Sequence, residues 1–396
     1  MPRSVTAQTD IETVAFGDGL LAHNRLTAAL CSLNEIGGFV LRERLADRSP
    51  QQIAAELANQ FGVKKSSVEQ DIGLLEAKWR EANLIVDSQA SGFGEAQSAP
   101  PVAEFRCDLT ISCGGGPVRL RCEEPVLAGL LEAVAAPARH PGIGQSAVDV
   151  LYRDEVYSGW VDGQMNWSSS DRAVARHWAL RDAIATSLQA TPPAAIIHAS
   201  GISLGGEGIV IAALSGSGKT TLASGLLASG GKLISDDLLP LCGDGEHLSP
   251  LPFALSVKSG SWPIVGDFFP VLFDSAIFGN RNLQIRYYWP GEANVEKNAV
   301  PARLIILPRW DPQATAQTSA LPPEEAIELL IRTGTRLVGC EGALAAFAHF
   351  GENIPAYAIT YPDLDAGIGL AKDLIADMKG GNRTAAGAPA TATASG

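Results

Sequence analysis

The residues with the clearest chemical meaning form a glycine-rich turn, ALSGSGKT, from Ala213 to Thr220. Gly216 and Gly218 permit backbone conformations that point successive N–H groups into one concavity, where a phosphate group fits. Lys219 places a mobile cation on the outer phosphates, and the Thr220 hydroxyl is an oxygen ligand suited to Mg²⁺. The turn predicts a nucleoside triphosphate site formed by Ala213, Leu214, Ser215, Gly216, Ser217, Gly218, Lys219, Thr220 and Thr221.

The segments on either side of this turn are those that a phosphate loop needs. The apolar residues 209–211 predict a buried strand, and a helical pattern begins at Lys219. The positive end of that helix adds to the attraction for phosphate. A glycine-rich turn without a ligand is the alternative, but the order of strand, loop, Lys-Thr pair and helix favours the phosphate site.

Two adjacent carboxylates, Asp236 and Asp237, follow a short strand predicted at 232–234. The carboxyl ends of strands in an open α/β sheet face the ligand crevice. There one carboxylate can hold Mg²⁺ while the other accepts a proton from an attacking hydroxyl. A helix cap beside a solvated acid is the alternative for this pair.

His198 and three downstream cations are candidates to complete the site. His198 interrupts the strand predicted before the phosphate-loop strand, and adjacent parallel strands would bring it to the same sheet edge as the loop. A packed core histidine is the alternative. Lys258, Arg281 and Arg286 are candidates for contacts with phosphate or with an acceptor, and an ordinary surface cation is the alternative for each.

Residues 105–375 resemble the catalytic domain of HPr kinase/phosphorylase and its relatives. The resemblance rests on His198, the ALSGSGKT loop and the Asp236-Asp237 pair, which occur in that family's order and at close to its spacing. It implies a phosphate-loop fold distinct from that of nucleoside kinases. It also implies use of ATP with Mg²⁺ and transfer of phosphate to a serine hydroxyl of a polypeptide. Ala213 departs from the family, which has its first loop glycine there.

The same resemblance implies a role for each matched residue. Asp236 would be the general base, and Thr220 and Asp237 would attend the metal. Lys219 would bind the phosphates, and His198 would support the acid pair. The family's later signature, which contains glycine and arginine, has no convincing equivalent in this sequence. Recognition of the HPr protein and a reverse, phosphorylase reaction are therefore not implied.

Residues 1–87 predict a separate small α+β domain of winged-helix type. Strands are expected at 13–16 and 20–23, and a helix from near Asn34. The third helix, over about 66–81, carries more acidic than basic side chains, which makes it a poor surface for nucleic acid. The charged residues are Glu69, Asp71, Glu76 and Glu81 against Lys78 and Arg80.

The second and third helices of this domain have similar predicted starts. Ser49 and Gln52 predict a capping box around Pro50, which suits the first helical position. Ser66 and Glu69 predict the same arrangement for the third helix.

Residues 20–86 resemble the PqqD family, the peptide-recognition elements of pathways that modify ribosomally made peptides. The Asn34-Glu35 pair, the Phe61-Gly62 step and the hydrophobic pattern carry the resemblance. It implies that the leader of a precursor peptide adds as a strand to the module's sheet edge and lies against a helix. A generic helical oligomerisation module is the alternative.

Composition divides the rest of the chain. Residues 88–103 predict a linker, and 379–396 a disordered tail. Residues 104–378 are expected to form an α/β P-loop domain of HPr kinase type with a β-rich N-terminal lobe. Within it, strands are predicted at 104–113, 116–122, 147–153, 157–163, 194–204 and 302–308, and helices from Ser170 or Asp171 to about Leu188 and over 322–337.

Charge and hydropathy limit the partners. A formal net charge of −13 argues against nucleic acid, and the apolar runs are too short to cross a bilayer. The N-terminus lacks the plan of a signal peptide, so a cytoplasmic protein is expected. The six cysteines form no CxxC pair. Buried reduced thiols are favoured over a metal site at Cys107, Cys113 and Cys122.

These patterns together predict an ATP-dependent serine kinase of a peptide or protein. Its acceptor would be a ribosomally made precursor, possibly of lasso type, captured through its leader by the PqqD-like domain. Other maturation enzymes are further expected partners, and a homo-oligomer is expected. The alternatives are a nucleotide-gated peptide chaperone without phosphotransfer and a small-molecule kinase. An ABC-type ATPase is rejected, because the signature motif expected about a hundred residues after the loop is missing.

Overall fold

The structure is a computed structural model that describes residues 10–86, 104–214, 216–280, 283–338 and 340–379. The predicted linker, the predicted site residues Ser215 and Arg281, and the predicted tail after Lys379 lie outside the described residues. Within the described ranges, none of the helices combines the length and the apolar character that a membrane span requires.

The N-terminal module contains an antiparallel sheet and three helices. The sheet has the order β1-β2-β3, and the sequence pattern did not indicate its third strand. The elements are β1 (Ile11–Phe16), β2 (Gly19–Asn24), β3 (Ala29–Leu33), α1 (Glu35–Leu45), α2 (Pro50–Phe61) and α3 (Lys65–Glu81).

The predicted starts of α1 and α2 are confirmed. The Asn34 side chain accepts a hydrogen bond from the Gly37 N–H at 2.9 Å. Ser49 and Gln52 form the predicted capping box. Gly62 ends α2 in the left-handed conformation, with a φ of 67°, where a residue without a side chain is favoured.

The predicted cap of α3 at Ser66 is wrong. The helix begins at Lys65, two residues earlier than a cap at Ser66 requires, and Lys64 takes the N-cap position without a side-chain hydrogen bond. Ser66 is therefore already helical and does not cap the free N–H groups of the first turn.

Strand β2 joins the module to the C-terminal domain, here residues 104–379. Leu20 packs in the core beneath α1, α2 and α3. Its neighbour Leu21 packs in a second core that includes Ile327 and Phe350 of the C-terminal domain. Successive side chains of a strand point to opposite faces, so this strand has an apolar residue for each core. The module is docked on the C-terminal domain through buried side chains.

The C-terminal domain begins with a β-rich lobe, as predicted. Its five strands lie in the order β4-β5-β6-β7-β8, and the pairs β4–β5 and β6–β7 are antiparallel. Asp171 caps the predicted helix by accepting a hydrogen bond from the Ala173 N–H at 2.7 Å. The elements are β4 (Cys107–Ile111), β5 (Val118–Cys122), α4 (Pro125–Ala135), β6 (Ser146–Arg153), β7 (Val156–Val161), β8 (Gln164–Ser169) and α5 (Arg172–Ser187).

The rest of the domain is built on a ten-stranded mixed sheet. The elements are β9 (Ala195–Ile197), β10 (Ser200–Leu204), β11 (Glu207–Ile211), α6 (Lys219–Ala228), β12 (Lys232–Ser235), β13 (Leu239–Leu241), β14 (His247–Leu248), β15 (Leu255–Lys258), α7 (Trp262–Phe268), β16 (Ile277–Asn280), β17 (Leu283–Tyr288), β18 (Val300–Trp310), β19 (Gln317–Leu321), α8 (Pro323–Thr333), β20 (Arg336–Leu337), α9 (Ala343–Asn353), β21 (Ala356–Tyr361) and α10 (Leu364–Lys379). Eight strands of the ten-stranded sheet lie in the order β12-β10-β11-β18-β14-β13-β9-β20. The other two are β21, which pairs with β18, and β19, which pairs with β21. Strands β15, β17 and β16 form a small separate sheet.

The single strand predicted at 194–204 is two strands, β9 and β10, which break at His198. The predicted parallel pairing with the phosphate-loop strand is wrong, because β10 and β11 form an antiparallel hairpin. Gly205 and Gly206 supply its turn, with φ values of 59° and 84°. Two consecutive positive φ values are typical of a tight hairpin turn.

Candidate active site

The predicted phosphate loop leads from β11 into α6. Gly216 and Gly218 have left-handed φ values of 93° and 91°. A Cβ added at Gly216 would meet open space, so its backbone conformation and not crowding requires glycine there. Gly218 occupies the N-cap of α6, and its carbonyl accepts a hydrogen bond from the Leu222 N–H at 2.9 Å.

The sheet brings the loop, the acid pair and His198 to one edge. Strand β10 lies between β11 and β12 and is antiparallel to both, so β11 and β12 end where β10 begins. The loop follows β11, Asp236 follows β12, and His198 lies just before β10. The prediction for His198 assumed parallel strands, whereas β10 and β11 are antiparallel. His198 still lies at the same sheet edge as the loop and the acid pair.

Lys219 and the acid pair are in direct contact. The Lys219 Nζ lies 2.5 Å from the Asp237 Oδ1 and 3.9 Å from the Asp236 Oδ1. The lysine that serves phosphates in such loops therefore shares one site with both carboxylates.

The two carboxylates have different surroundings. The Asp236 side chain is 1% exposed, and its oxygens accept hydrogen bonds from the Ser200 hydroxyl at 2.5 Å and the Ser256 N–H at 3.0 Å. The Asp237 side chain is 25% exposed and accepts a hydrogen bond from the Ser256 hydroxyl at 2.7 Å. Asp237 faces the crevice, whereas Asp236 lies beneath it. No sequence pattern indicated a role for Ser200 or Ser256.

These surroundings shift the pKa values of Asp236 and Asp237 in opposite directions. Burial and the neighbouring Asp237 charge raise the pKa of Asp236. Burial would also raise the pKa of Asp237, but Lys219, His198 and Arg176 together outweigh burial and hold that pKa well below its usual range. Burial disfavours the charge of Lys219, yet the combined attraction of Asp237 and Asp236 keeps the Lys219 pKa above the ordinary value. Asp237 and Lys219 form an ion pair, and Asp236 is the more basic carboxylate.

His198 lies against the exposed side of the acid pair. Its Nε2 is 3.7 Å from the Asp237 Oδ1, which is an electrostatic contact longer than a hydrogen bond. The ring of His177, on α5, lies beside that of His198, with 5.9 Å between the two ring centroids. The predicted place of His198 beside the acids is thus found in the structure.

Arg176 is a candidate functional residue that the sequence reasoning missed. The guanidinium Nη1 donates a hydrogen bond to the Tyr287 hydroxyl at 2.6 Å, while the buried Nε has no partner among the described residues. Both residues line a cavity of about 20 Å³ that also contacts Asp236 and Asp237, which is room for about one water molecule. The helix was predicted, but no spacing in the sequence linked it to the distant acid pair.

The other predicted cations lie on different faces of the small sheet. Ser256 and Lys258 are two residues apart on β15 and share a face. Arg286 pairs with Val257 in the register and belongs to the opposite face. It donates hydrogen bonds to the Phe273 and Ser275 carbonyls and lies over the Trp262 ring, so its contacts are structural.

The residues present suit a magnesium ion. Thr220 follows Lys219 in the first turn of α6 and supplies a hydroxyl group. Asp237 supplies a partly exposed carboxylate in the same site. Mg²⁺ in nucleotide sites takes one or two protein oxygens and completes its shell with phosphate oxygens and water. Among the described residues, no group of three or more His, Cys, Asp or Glu side chains is arranged to hold a metal by itself.

Comparisons with known proteins yield a weak structural similarity. No protein family matches the sequence, and no curated protein matches it. Among solved structures, the chain is similar to the Hpr(Ser) kinase/phosphatase from Coxiella burnetii, with 14% identity. The match covers 46% of this chain and 97% of that chain, with a TM-score of 0.23. A likeness this weak carries no argument, and the PqqD resemblance stays a prediction.

Proposed function

We propose that this protein is an ATP-dependent kinase that phosphorylates a serine of a peptide or protein. The supporting observation is the contact of the phosphate-loop lysine with two carboxylates of unequal basicity. Nucleotide binding alone needs a phosphate loop and a metal ligand, but it does not need a buried carboxylate with a raised pKa. Transfer to a hydroxyl does, because the hydroxyl proton must be accepted.

In this proposal Lys219 binds the outer phosphates and neutralises charge as the γ-phosphoryl group moves. Mg²⁺ held by Thr220 and Asp237 would supply further neutralisation of that charge. Asp236 accepts the proton of the serine hydroxyl as its oxygen attacks in line. The raised pKa of Asp236 suits this role, since a base works best when its pKa approaches the working pH.

The route of the acceptor to Asp236 follows from its burial. In this proposal only the acceptor hydroxyl group enters the small cavity that Asp236, with its side chain 1% exposed, shares with Arg176 and Tyr287. Ser200 and Ser256 keep the carboxylate in place by donating to its two oxygens. The protein positions the reacting groups and compensates their charge, and these are the main requirements of phosphoryl transfer.

The N-terminal module supplies the acceptor in this proposal. Strand β3 lies at an end of its sheet, and within the described residues it pairs with β2 alone. A precursor leader, for example that of a lasso-type peptide, would add to such an edge. The shared core around Leu21 fixes the distance from that edge to the acid pair. A captured peptide would then present its serine at a high effective concentration.

The proposal is tested with γ-labelled ATP, Mg²⁺ and a peptide encoded beside the gene. Label should appear on serine, and Asp236→Asn should lower the transfer rate by about 100-fold or more while ATP binding is retained. Asp373→Asn, an exposed aspartate on α10, is the matched control and should transfer normally. ATP binding without label on any peptide or protein would favour the chaperone alternative. Transfer that survives in Asp236→Asn would refute the assignment of the base.

A further inference from the structure

Two arginines near His198 have no part in the proposed transfer. Arg336 lies on β20 and Arg181 on α5. Arg336 pairs with Ile196 in the register, two residues before His198. A Cβ built on Gly334 would lie 3.5 Å from the His198 Nδ1, so the turn before β20 contacts that side of the histidine. The Nε2 on its other side faces the acid pair.

Arg336 has no carboxylate partner within the described parts of the chain. It is half-buried, and its Nη1 donates one hydrogen bond, to the Thr335 carbonyl at 3.1 Å. Burial and the neighbouring charge of Arg181 lower its pKa. A guanidinium has five N–H donors and a charge that is costly to bury without an anion. Arg336 therefore has the charge and the donors to bind an anion from outside the chain.

Arg181 shares its carboxylate with other donors. Its Nε and Nη2 donate to the Asp182 Oδ1 at 3.2 and 2.9 Å. The Asp182 Oδ2 already accepts hydrogen bonds from the Trp167 Nε1 at 2.8 Å and the Asn166 Nδ2 at 2.9 Å. The Arg181 Nη1 has no hydrogen-bond partner among the described residues. Asp182 fixes the guanidinium, which lies over the Trp178 ring, and leaves one of its nitrogens for a ligand.

The pKa of His177 reflects its burial and the positive charge of the arginines around it. His177 is on the same face of α5 as Arg181, one turn away. Burial together with His198, Arg176 and Arg181 lowers its pKa to about 4. The arginines of α5 and β20 thus lie near the His177–His198 pair.

We propose that Arg181 and Arg336 bind an anionic group, a carboxylate or a phosphate monoester, that the acceptor carries near its serine. The acceptor is the part of this inference that rests on the proposed function. Asp237 separates the two regions, with its Oδ1 2.5 Å from the Lys219 Nζ and 3.7 Å from the His198 Nε2. Nucleotide phosphates belong to the lysine side. In-line transfer puts the acceptor on the side of the phosphoryl group away from the leaving oxygen, which is the side of His198.

The anion site is tested first without nucleotide or peptide. Inorganic phosphate is titrated into the full-length protein with ¹³C-labelled histidine, and the resonances of His177 and His198 are followed. Arg336→Gln and Arg181→Gln should each raise the apparent Kd by about tenfold, the value of a charge-assisted hydrogen bond. Arg336→Lys should retain part of the affinity. Arg332→Gln, an exposed arginine at the end of α8, is the matched control and should bind as the wild type does.

The substitutions leave the residues of the predicted phosphate loop unchanged, so a difference in phosphate binding between the wild type and these variants would be assigned to the arginines. Circular dichroism and thermal unfolding establish that each variant is folded. Unchanged titrations in both glutamine variants would refute the site. Loss of affinity in both of them, with the control unchanged, supports it whatever happens to phosphotransfer.

The preference for an acidic acceptor is tested with three serine peptides. They differ only in one residue next to the serine, which is Gln, Glu or phosphoserine. Wild-type kcat/KM should favour an acidic peptide by about tenfold or more, and Arg336→Gln should remove that preference. The Glu and phosphoserine peptides distinguish a carboxylate from a phosphate. Equal rates on all three peptides would contradict an acidic acceptor. Phosphate binding that depends on Arg336, with no transfer to any peptide, would contradict the proposed kinase and leave the anion site standing.

Discussion

At the scale of single residues, Arg176 gives the sharpest prediction. Its charge lowers the pKa of Asp237, after the larger effects of Lys219 and His198. Arg176 also interacts with Asp236, so Arg176→Gln should raise the pKa of both carboxylates. The acidic limb of the kcat/KM profile, which the proposed base Asp236 sets, should then move to higher pH. The rate at the optimum should fall by about tenfold, since a positive charge beside the acid pair is lost.

The measurement is a pH–rate profile of the wild type, Arg176→Gln and Arg309→Gln. Arg309 is 76% exposed on β18 and serves as the control, with no expected shift. An acidic limb that stays in place in Arg176→Gln would mean that this arginine does not act on the acid pair.

The sequence predicted the residues of this site that lie close together along the chain. Lys219, Asp236 and Asp237 fall within one strand–loop–helix–strand unit, where motif spacing carries information. Arg176 comes from another lobe, and Ser256 from a strand that follows the acids. Their proximity depends on how separate elements pack, and no local pattern encodes that packing.

At the scale of elements, the β4–β5 turn fixes the end of α5. The Ser187 hydroxyl accepts a hydrogen bond from the Cys113 N–H at 2.9 Å and donates one to the Gly116 carbonyl at 2.8 Å. A Cβ at Gly115 would lie 2.0 Å from the Ser187 carbonyl oxygen. Gly115→Ala should therefore push turn and helix apart and destabilise the protein by about 1–3 kcal/mol.

The control is the same substitution at Gly369 of α10, where a Cβ would meet nothing within 4 Å. Gly369→Ala should stabilise the protein by about 1 kcal/mol through helix propensity. Chemical denaturation measures both changes. Equal effects of the two substitutions would show that the turn does not fix the helix.

Local signals predicted elements well where turn and cap residues were decisive. The capping box of Ser49 and Gln52 and the two glycines before β11 are examples. The direction of β10 was misread because an apolar run carries no information about its pairing partner. Short strands such as β20, with two residues, give no periodic signal at all.

At the scale of the whole molecule, the position of the N-terminal module rests on one face of its sheet. Phe16, Leu21 and Leu30 are buried in the same core as Ile327 and Phe350. Composition suggested two domains joined by a linker, and it could not indicate which face of the first sheet would be covered. Because of this docking, the module is not merely tethered but is held at a fixed place beside the C-terminal domain.

Leu21→Ala and Leu20→Ala test this docking as a matched pair on β2. Each removes a buried side chain and should cost about 2–5 kcal/mol, but on opposite faces of one strand. Leu21→Ala should increase amide hydrogen exchange in α8 and α9 as well as in β1–β3, because the shared core is weakened. Leu20→Ala should increase exchange mainly in α1, α2 and α3. Unaltered exchange in α8 and α9 of Leu21→Ala would mean that the module is held by the linker alone. A tether, and not a fixed position, would then have to deliver the peptide.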